Sequence, residues 1–466
     1  MSKILFIEPK APDLHIYSKV AMPRLGNVVL ATMARERGWD AEVIVEQLSG
    51  LDPDNLPPAD VVGISSITST APRAYRFADA YRRSGVPVIM GGPHISFLPD
   101  EAMCHSDYII KGEGEIPFSR FLDALESGGG WDSIPNFSYH DGGEIRHNRS
   151  EPSFPSLADV PTPDLSLIRS YWRKRRRRIV PVETSRGCPF NCTFCSVSKI
   201  FGRRMRFRPI DSVIDVLKRH RDRASYIFFV DDNFAAVPSR TKELLSAVID
   251  AGLKIQWSAQ VRSDAARDPE LLGLMRDSGC VAVYVGIESI NPQTLKRIKK
   301  GQRIEEVSDA IERFHRHGVR VHGMFILGFD EDNAASARNT VRYAMRTKLN
   351  SVQFLLLTPL PGTQFFSKLR QEKRILTDNW SLYDAHHVVF RPRRMLPLEL
   401  QRLQIKAHEK FYSLIRQVKH LFSFKFVEYA IAEYASRINK NWKSVNHFFM
   451  RWLKKLSRRG KGPLEP

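Results

Sequence analysis

Val182-Glu183-Thr184-Ser185-Arg186-Gly187-Cys188-Pro189-Phe190-Asn191-Cys192-Thr193-Phe194-Cys195 is the stretch from which the rest of the chain is read. It follows a strand-like run, Ile179-Val180-Pro181-Val182, and sets three cysteines within eight residues in a CxxxCxxC spacing. The chain has five cysteines, and the other two, Cys104 and Cys280, stand alone and read as small buried hydrophobes. Three thiolates on one short loop suit a soft metal centre. A closed tetrahedral zinc site needs a fourth Cys or His at short spacing, and the next histidine is His220. Three ligands and one vacancy leave one iron of a 4Fe–4S cluster open to a small molecule.

That spacing, with aromatic Phe194 before the last cysteine, resembles the cluster loop of the radical S-adenosylmethionine (radical SAM) enzymes. The resemblance implies that Cys188, Cys192 and Cys195 hold a 4Fe–4S cluster and that SAM chelates the open iron. It also implies a one-electron reductant such as flavodoxin or ferredoxin, and cleavage of SAM to a 5′-deoxyadenosyl radical that abstracts hydrogen. Phe194 should then flank the adenine.

Composition sets the frame. A chain of 466 residues allows two or three domains at ~150 residues each, and its hydrophobic fraction of 42% is normal for packed cores. Few, clustered cysteines argue for a reducing compartment and against a disulfide scaffold. The N-terminus, Met1-Ser2-Lys3-Ile4-Leu5-Phe6-Ile7, runs into a strand without a signal-peptide core. No apolar run approaches the ~20 residues of a membrane span. The expectation is a cytoplasmic protein, and the formal charge of +20 calls for an acidic partner or surface.

Residues 1–140 alternate apolar runs with amphipathic ones. The strands read 4–7, 41–45, 61–65, 86–90 and 108–110, and the helices near 24–38, 71–84, 99–104 and 115–127. Such alternation makes a parallel sheet with both faces covered, and ligands bind beyond its C-terminal strand ends. Those ends carry Ser65-Ser66-Ile67-Thr68-Ser69-Thr70, Gly91-Gly92-Pro93-His94 and Lys111-Gly112-Glu113-Gly114-Glu115. No GxGxxG follows the first strand, which argues against a dinucleotide. The segment resembles the cobalamin-binding, Rossmann- or flavodoxin-like domain fused in front of many radical SAM enzymes. The resemblance implies cobalamin contacts from Ser65, Ser66, Thr68, Ser69, Gly91, Gly92, Pro93, Gly112 and Glu113. An axial histidine in that family sits in Asp-x-His-x-x-Gly. Asp13-Leu14-His15 matches its start, but Ser18 replaces the glycine, so His15 is an axial cobalt ligand on one reading and an ordinary loop histidine on the other. The alternative for the whole sheet is one that has lost its ligand.

Residues 141–178 read as a linker, with Pro152, Pro155, Pro161 and Pro163 keeping it extended and the basic run Arg173-Lys174-Arg175-Arg176-Arg177-Arg178 at its end. From 179 to 390 the alternation resumes. Strands read 179–184, 226–231, 255–260, 281–287, 321–327 and 352–357, with helices 211–223, 238–252, 268–278, 303–317 and 331–347 between them. Six βα units indicate a partial (βα)6, TIM-like barrel, with its site at the C-terminal strand ends. Asp231 and Asp232 end the second strand and suit the methionine ammonium group of SAM; alternation lets one of them face inward. Ser258, Gln260 and Arg262 share one face of the third strand, where a ribose and a carboxylate would satisfy them. Glu288 ends the fourth strand and resembles the family's ribose-side residue. His386 and His387 follow the barrel as rim candidates.

Residues 391–466 change character, with 18 Lys/Arg against five Asp/Glu, or +13 of the total charge. Val427, Ile431, Tyr434, Ile438, Trp442, Val445, Phe449, Trp452 and Leu456 recur every three or four residues, which predicts one long amphipathic helix. Either the stripe packs on the barrel or a partner, or the basic helical tail lies as a peripheral contact on the inner membrane surface.

Together the modules resemble the cobalamin-dependent radical SAM enzymes over residues 1–390. The resemblance implies methylation of an unactivated carbon in a small-molecule or lipid-like substrate. The same cofactors also support oxidative cyclisation or rearrangement without methyl transfer. Methylthiolation of tRNA would need a second three-cysteine cluster upstream, where Cys104 is alone. A basic iron–sulfur nucleic-acid-binding protein would leave the barrel unexplained, so nucleic acid is disfavoured as a partner.

Overall fold

Short runs of Val, Ile, Leu and Phe become the strands of two sheets in the computed structural model, which describes residues 2–11, 22–152, 154–172 and 178–459. His15 and the basic run 173–177 lie outside the described residues. The chain divides into two units. Of the described residues, 2–11, 22–189 and 196–224 form the first, and 190–195 with 225–459 form the second.

In the first unit all five predicted strands form: β1 Lys3–Glu8, β2 Asp40–Val45, β3 Val61–Ser65, β4 Val88–Gly91 and β5 Tyr108–Ile110. They run parallel in the order β2-β1-β3-β4-β5, the doubly wound order with its switch point between β1 and β3. Helices cover both faces, so Ile4, Leu5, Phe6 and Ile7 are all buried and the strands read as continuous apolar runs. An antiparallel hairpin, β6 Phe137–Asp141 and β7 Glu144–His147, extends the sheet beyond β5. Its turn holds Gly142 and Gly143 at positive φ, the two-residue hairpin chemistry. The reading of a linker from 141 does not anticipate this hairpin. The strand that leads into the cysteines forms as β8 Arg178–Val182. A two-residue antiparallel pair, β9 Ser185–Arg186 with β10 Arg206–Phe207, then closes the base of the cysteine loop.

The second unit holds β11 Ala224–Phe229 from Ser225 onward, β12 Trp257–Val261, β13 Cys280–Glu288, β14 Arg320–Leu327 and β15 Ser351–Leu356. These pair in parallel in sequence order, each return made by a helix. The six strands read from the sequence for a partial barrel are therefore all present. Alternate residues face the helices: Ile227, Phe229, Trp257, Val283, Val321 and Phe354 are fully buried. The other face carries a polar layer. The Tyr284 ring lies 5.5 Å from Phe228 and 4.9 Å from His322, whose Nδ1 is 2.8 Å from Ser351 Oγ. Burial pushes the His322 imidazole down to about 3, so it is neutral. Cys280 is buried as expected, but Cys104 is exposed, at the cap position just after the five-residue helix Pro99–Met103.

The predicted single tail helix is two helices, Phe426–Val445 and His447–Arg459, broken at Asn446. Asn446 Oδ1 is 3.0 Å from His387 Nε2, a side-chain bond at the position where the helix stops. His387 is fully buried and its Nδ1 lies 3.0 Å from Asp384, so it is a core histidine and not part of a rim. The centre of the stripe packs inward: Ile405, Trp442, Phe449 and Leu453 form one buried cluster. Among the described residues no helix is long and apolar enough to cross a membrane.

This packing makes the tail part of the fold. Trp442→Ala should cost about 3–5 kcal/mol of stability in urea melts. Val445→Ala, at an exposed position three residues on, should change stability by less than about 0.5 kcal/mol. Equal, negligible effects would mean an undocked tail.

Candidate active site

In the first unit, the surface beyond β3 and β4 is built by two loops in close contact. Ser66 N–H donates to the Gly91 carbonyl (3.0 Å), and His94 N–H donates to the Ser66 carbonyl (3.2 Å). Gly92 sits at φ +97, and a Cβ there would lie 2.7 Å from the Ser66 carbonyl oxygen and 2.8 Å from Ser65 Oγ. Only glycine allows this approach. Ser66 is fully buried, with its hydroxyl 3.2 Å from Thr70 Oγ1 and 2.9 Å from the Ile67 carbonyl. It therefore shapes the loop from within. Thr68 and Ser69 are buried too, while Ser65, Gly91, Gly92 and Pro93 are half-buried and Ile67 is exposed at the loop tip. Gly112, at φ +76, donates its N–H to Ser96 Oγ at 2.9 Å. The result is a floor of backbone and small side chains beyond the C-terminal ends of β3, β4 and β5, which suits a large flat ligand.

Glu113 has a different task. Its carboxylate is buried and accepts from Arg186 Nη1 (2.8 Å) and Arg206 Nη1 (3.0 Å). Arg186 also donates to Glu115 (2.6 Å) and Glu183 (2.7 Å), and Arg208 donates to Glu183 at 2.9 Å. Three carboxylates and three guanidinium groups thus form one buried, neutral network. Burial alone would lift the Glu183 carboxyl; Arg186 and Arg208 reverse that and hold it below the ordinary range. Burial also opposes the charge on Arg186, yet the carboxylates around it, Glu183 and Glu115 first, raise it well above its usual value. The network fixes β9 and β10, the stem from which Gly187 at φ +97 turns the chain into Cys188. Arg186, Arg206 and Arg208 were not singled out by sequence reading, because Glu113 lies 73 residues before Arg186 and 93 before Arg206, and Glu183 lies 25 before Arg208.

The three cysteines are half-buried in an irregular loop. Cys188 N–H donates to the Gly202 carbonyl (3.2 Å) in the first unit, and Cys195 N–H to the Cys192 carbonyl (3.1 Å) in the second. Among the described residues no three His, Cys, Asp or Glu side chains group around a single-ion position. The donor chemistry of the loop is soft thiolate only, which fits an iron–sulfur centre.

Residues 190–195 pack within the second unit. Thr193 N–H donates to the Ile298 carbonyl (3.2 Å), and Phe365 N–H to the Thr193 carbonyl (3.1 Å). Phe194 is half-buried, 6.2 Å edge-on from Phe329. Both line a cavity of about 330 Å³ with Ile298, Phe365 and Lys368. Its aromatic walls and volume fit a purine. Arg262, buried, lies with its guanidinium 3.7 Å over the Phe190 ring and donates to Asp264 (3.2 Å) and the Gly301 carbonyl (3.3 Å). Glu288 sits at φ +64, strained for a residue other than glycine, and accepts from Lys300 Nζ at 2.9 Å. A Cβ on Gly286 would fall 2.5 Å from that carboxylate. Gln302 donates to the Gly286 and Ile287 carbonyls. Ser258 is fully buried, Gln260 half-buried and Asp231 buried, whereas Asp232 is exposed. Of the two aspartates, Asp231 is the one facing inward. The segment Ile298-Lys299-Lys300-Gly301-Gln302 thus gathers the cysteine loop, Arg262 and Glu288, and nothing in its sequence announces that role.

Two predictions test this construction. Arg186→Met leaves buried carboxylates uncompensated and should cost about 3–5 kcal/mol at neutral pH. Glu183's lowered pKa supplies stability above its ordinary value of 4.5 and loses it as pH falls below that. The gap between wild type and variant in melting temperature should therefore narrow on acidification, and a constant gap would contradict the network. Asp332, whose carboxylate accepts from the Gly328 and Phe329 N–H groups, has the opposite sign. Burial raises it to about 6 from 3.8, so it costs stability as pH rises through that window. Asp332→Asn keeps the acceptor and should stabilise the protein by about 1–3 kcal/mol above pH 7, with no gain below pH 4.

Known proteins share this architecture. The radical SAM superfamily model matches residues 182–344 and the B12 binding domain model matches 14–122. An uncharacterised methyltransferase of Pyrococcus horikoshii is 32% identical over 88% of this chain and 92% of its own. The bacteriochlorophyllide d C-12(1)-methyltransferase of Chlorobaculum tepidum is 28% identical over 88% of this chain and 87% of its own. The structure of the radical SAM methyltransferase TsrM from Kitasatospora setae, with cobalamin and a [4Fe–4S] cluster bound, superposes with a TM-score of 0.68 at 19% identity, over 80% of this chain and 78% of that one. With a B12-binding sheet, a three-cysteine loop and a partial βα barrel in that order, the chain belongs to the radical SAM enzymes that carry an N-terminal cobalamin-binding domain.

Proposed function

We propose that the protein methylates an unactivated carbon of a small-molecule or lipid-like substrate. The reading is carried by one observation. A three-cysteine loop packs through Thr193 against Ile298 beside a barrel mouth whose buried polar groups suit SAM, in a chain that also matches the B12 binding domain model. When bound, the cluster and SAM supply a 5′-deoxyadenosyl radical and methylcobalamin supplies the methyl group.

The chain's residues bind and orient. Cys188, Cys192 and Cys195 hold the cluster. Arg262, stacked on Phe190, presents a rigid fork to the carboxylate of SAM, and Asp231 faces its ammonium group. Phe194 and Phe329 enclose the adenine, with Gln260 and Glu288 on the ribose side. Lys300 pairs with the buried Glu288 side chain and sets its direction. Ser65, Gly91, Gly92 and Pro93 make the cobalamin floor, and Gly112 and Glu113 support it from the next loop. The buried aromatic and aliphatic walls exclude water from a radical reaction. Flavodoxin or ferredoxin is the class of reductant that delivers single electrons to such a centre.

Anaerobically reconstituted protein, incubated with methyl-labelled SAM, reductant and candidate substrates, should yield labelled product, 5′-deoxyadenosine and S-adenosylhomocysteine. Deoxyadenosine without S-adenosylhomocysteine would favour cyclisation or rearrangement instead. Arg262→Lys should raise KM for SAM by about tenfold with a smaller change in kcat, because charge remains while the planar fork and ring stack are lost. An unchanged KM would remove Arg262 from the SAM site.

A further inference from the structure

The Leu414–Phe422 helix is built inside out. Three of its polar residues, Arg416, Gln417 and His420, face the protein. Gln417 is buried and donates to the Tyr412 carbonyl at 2.9 Å. Arg416 donates to the Leu349 carbonyl at 2.8 Å and lies 4.0 Å over the Phe411 ring. His420 sits 3.2 Å from Arg416 Nε, and burial and that guanidinium hold its imidazole below the ordinary value, so it is uncharged at neutral pH. The apolar residues face out: Leu414 is 72% exposed, Ile415 83%, Val418 42%, Leu421 42% and Phe422 79%. A helix that merely covers a core turns the other way.

The turn that follows continues the surface. Phe424 is 80% exposed, Phe426 59% and Val427 46%. Phe424 also adopts φ +53, a left-handed conformation where glycine or asparagine is the default and a bulky residue is an outlier. Local strain is thus kept in order to present an aromatic ring to solvent. Elsewhere among the described residues exposed large hydrophobics are scattered; here eight fall within fourteen residues.

Charge narrows the partner. From Leu414 to Val427 there is no acidic residue, while Lys419 and Lys425 are exposed between the apolar side chains. The next acid, Glu428, is engaged by Asn350 Nδ2 at 3.1 Å. A second copy docked here by two-fold symmetry would bring two lysines from each side into one small patch with no acidic residue to offset them. Exposed aromatics interleaved with lysines fit a bilayer surface with anionic headgroups.

We propose that Leu414–Val427 docks the protein on an anionic phospholipid membrane. Phe422, Phe424 and Phe426 enter the boundary between headgroups and acyl chains, and Lys419 and Lys425 meet the phosphates. This places the contact up to the first residue of the 427–456 stripe, whose centre is already buried. It stands independently of methyl transfer.

The test is flotation of the reconstituted full-length protein with phosphatidylglycerol-containing or pure phosphatidylcholine vesicles. Wild type should float with the anionic vesicles, less so in high salt. Phe422→Ser/Phe424→Ser/Phe426→Ser should lower the bound fraction at least about tenfold with an unchanged melting temperature, since the rings are exposed. Lys419→Glu/Lys425→Glu should lower binding to the anionic vesicles in the same direction without touching the apolar residues. Wild type that stays in solution with both vesicle types overturns the proposal. So does a wild-type dimer that the triple serine variant converts to monomer without any vesicle binding. Product assays in detergent-free solution report on methyl transfer separately.

Discussion

The entry to the cysteine loop depends on one buried guanidinium. Arg186 stands between Glu113, Glu115 and Glu183 at the last residue pair before the chain leaves regular structure. Charges of this kind are expensive to bury and are retained only when every partner is present. The loop beyond has little of its own to hold it: a two-residue ladder, a glycine turn and a few backbone bonds. The entry to the loop, Gly187 and Cys188, is therefore set at its base, by residues from the Gly-Glu-Gly-Glu loop of the preceding sheet. The same loop that the fold rules mark as a ligand position also carries the acids that anchor the stem.

Within the barrel the logic repeats on a smaller scale. Arg262 and Glu288 are positioned by contacts reaching back from 298–302: Gly301 accepts from the guanidinium and Lys300 pairs with the carboxylate. Glu288 holds a strained backbone, and Gly286 leaves the space its carboxylate occupies. The mouth is thus preorganised around fixed charges, with a neutral layer of Tyr284, His322 and Ser351 in the same sheet.

Much of this was legible in the sequence, for stated reasons. Val61–Ser65 and Tyr108–Ile110 form with the bounds read from the chain, because doubly covered strands are continuous apolar runs ended by polar turns. The cysteine spacing is local, so its chemistry needs no fold to be seen. What escaped is long-range or depends on direction. Ion pairs between Glu113 and Arg186, or Glu288 and Lys300, have no periodic signature. The hairpin after residue 137 had one, two adjacent glycines, beneath a proline-rich stretch that reads as linker. Periodicity gave the tail's apolar stripe but not its break at Asn446, nor which side of Leu414–Phe422 faces the protein. A hydrophobic period states that a helix has two faces and leaves open which one is buried.

The central claim is that the three cysteines leave one iron for SAM. Electron paramagnetic resonance of the anaerobically reduced, reconstituted protein tests it most directly. The account predicts a reduced 4Fe–4S signal whose g-values shift when SAM is added, because the cofactor becomes a ligand of the cluster. A cluster signal that SAM leaves unchanged, or a protein that takes up zinc and forms no paramagnetic centre, would contradict it.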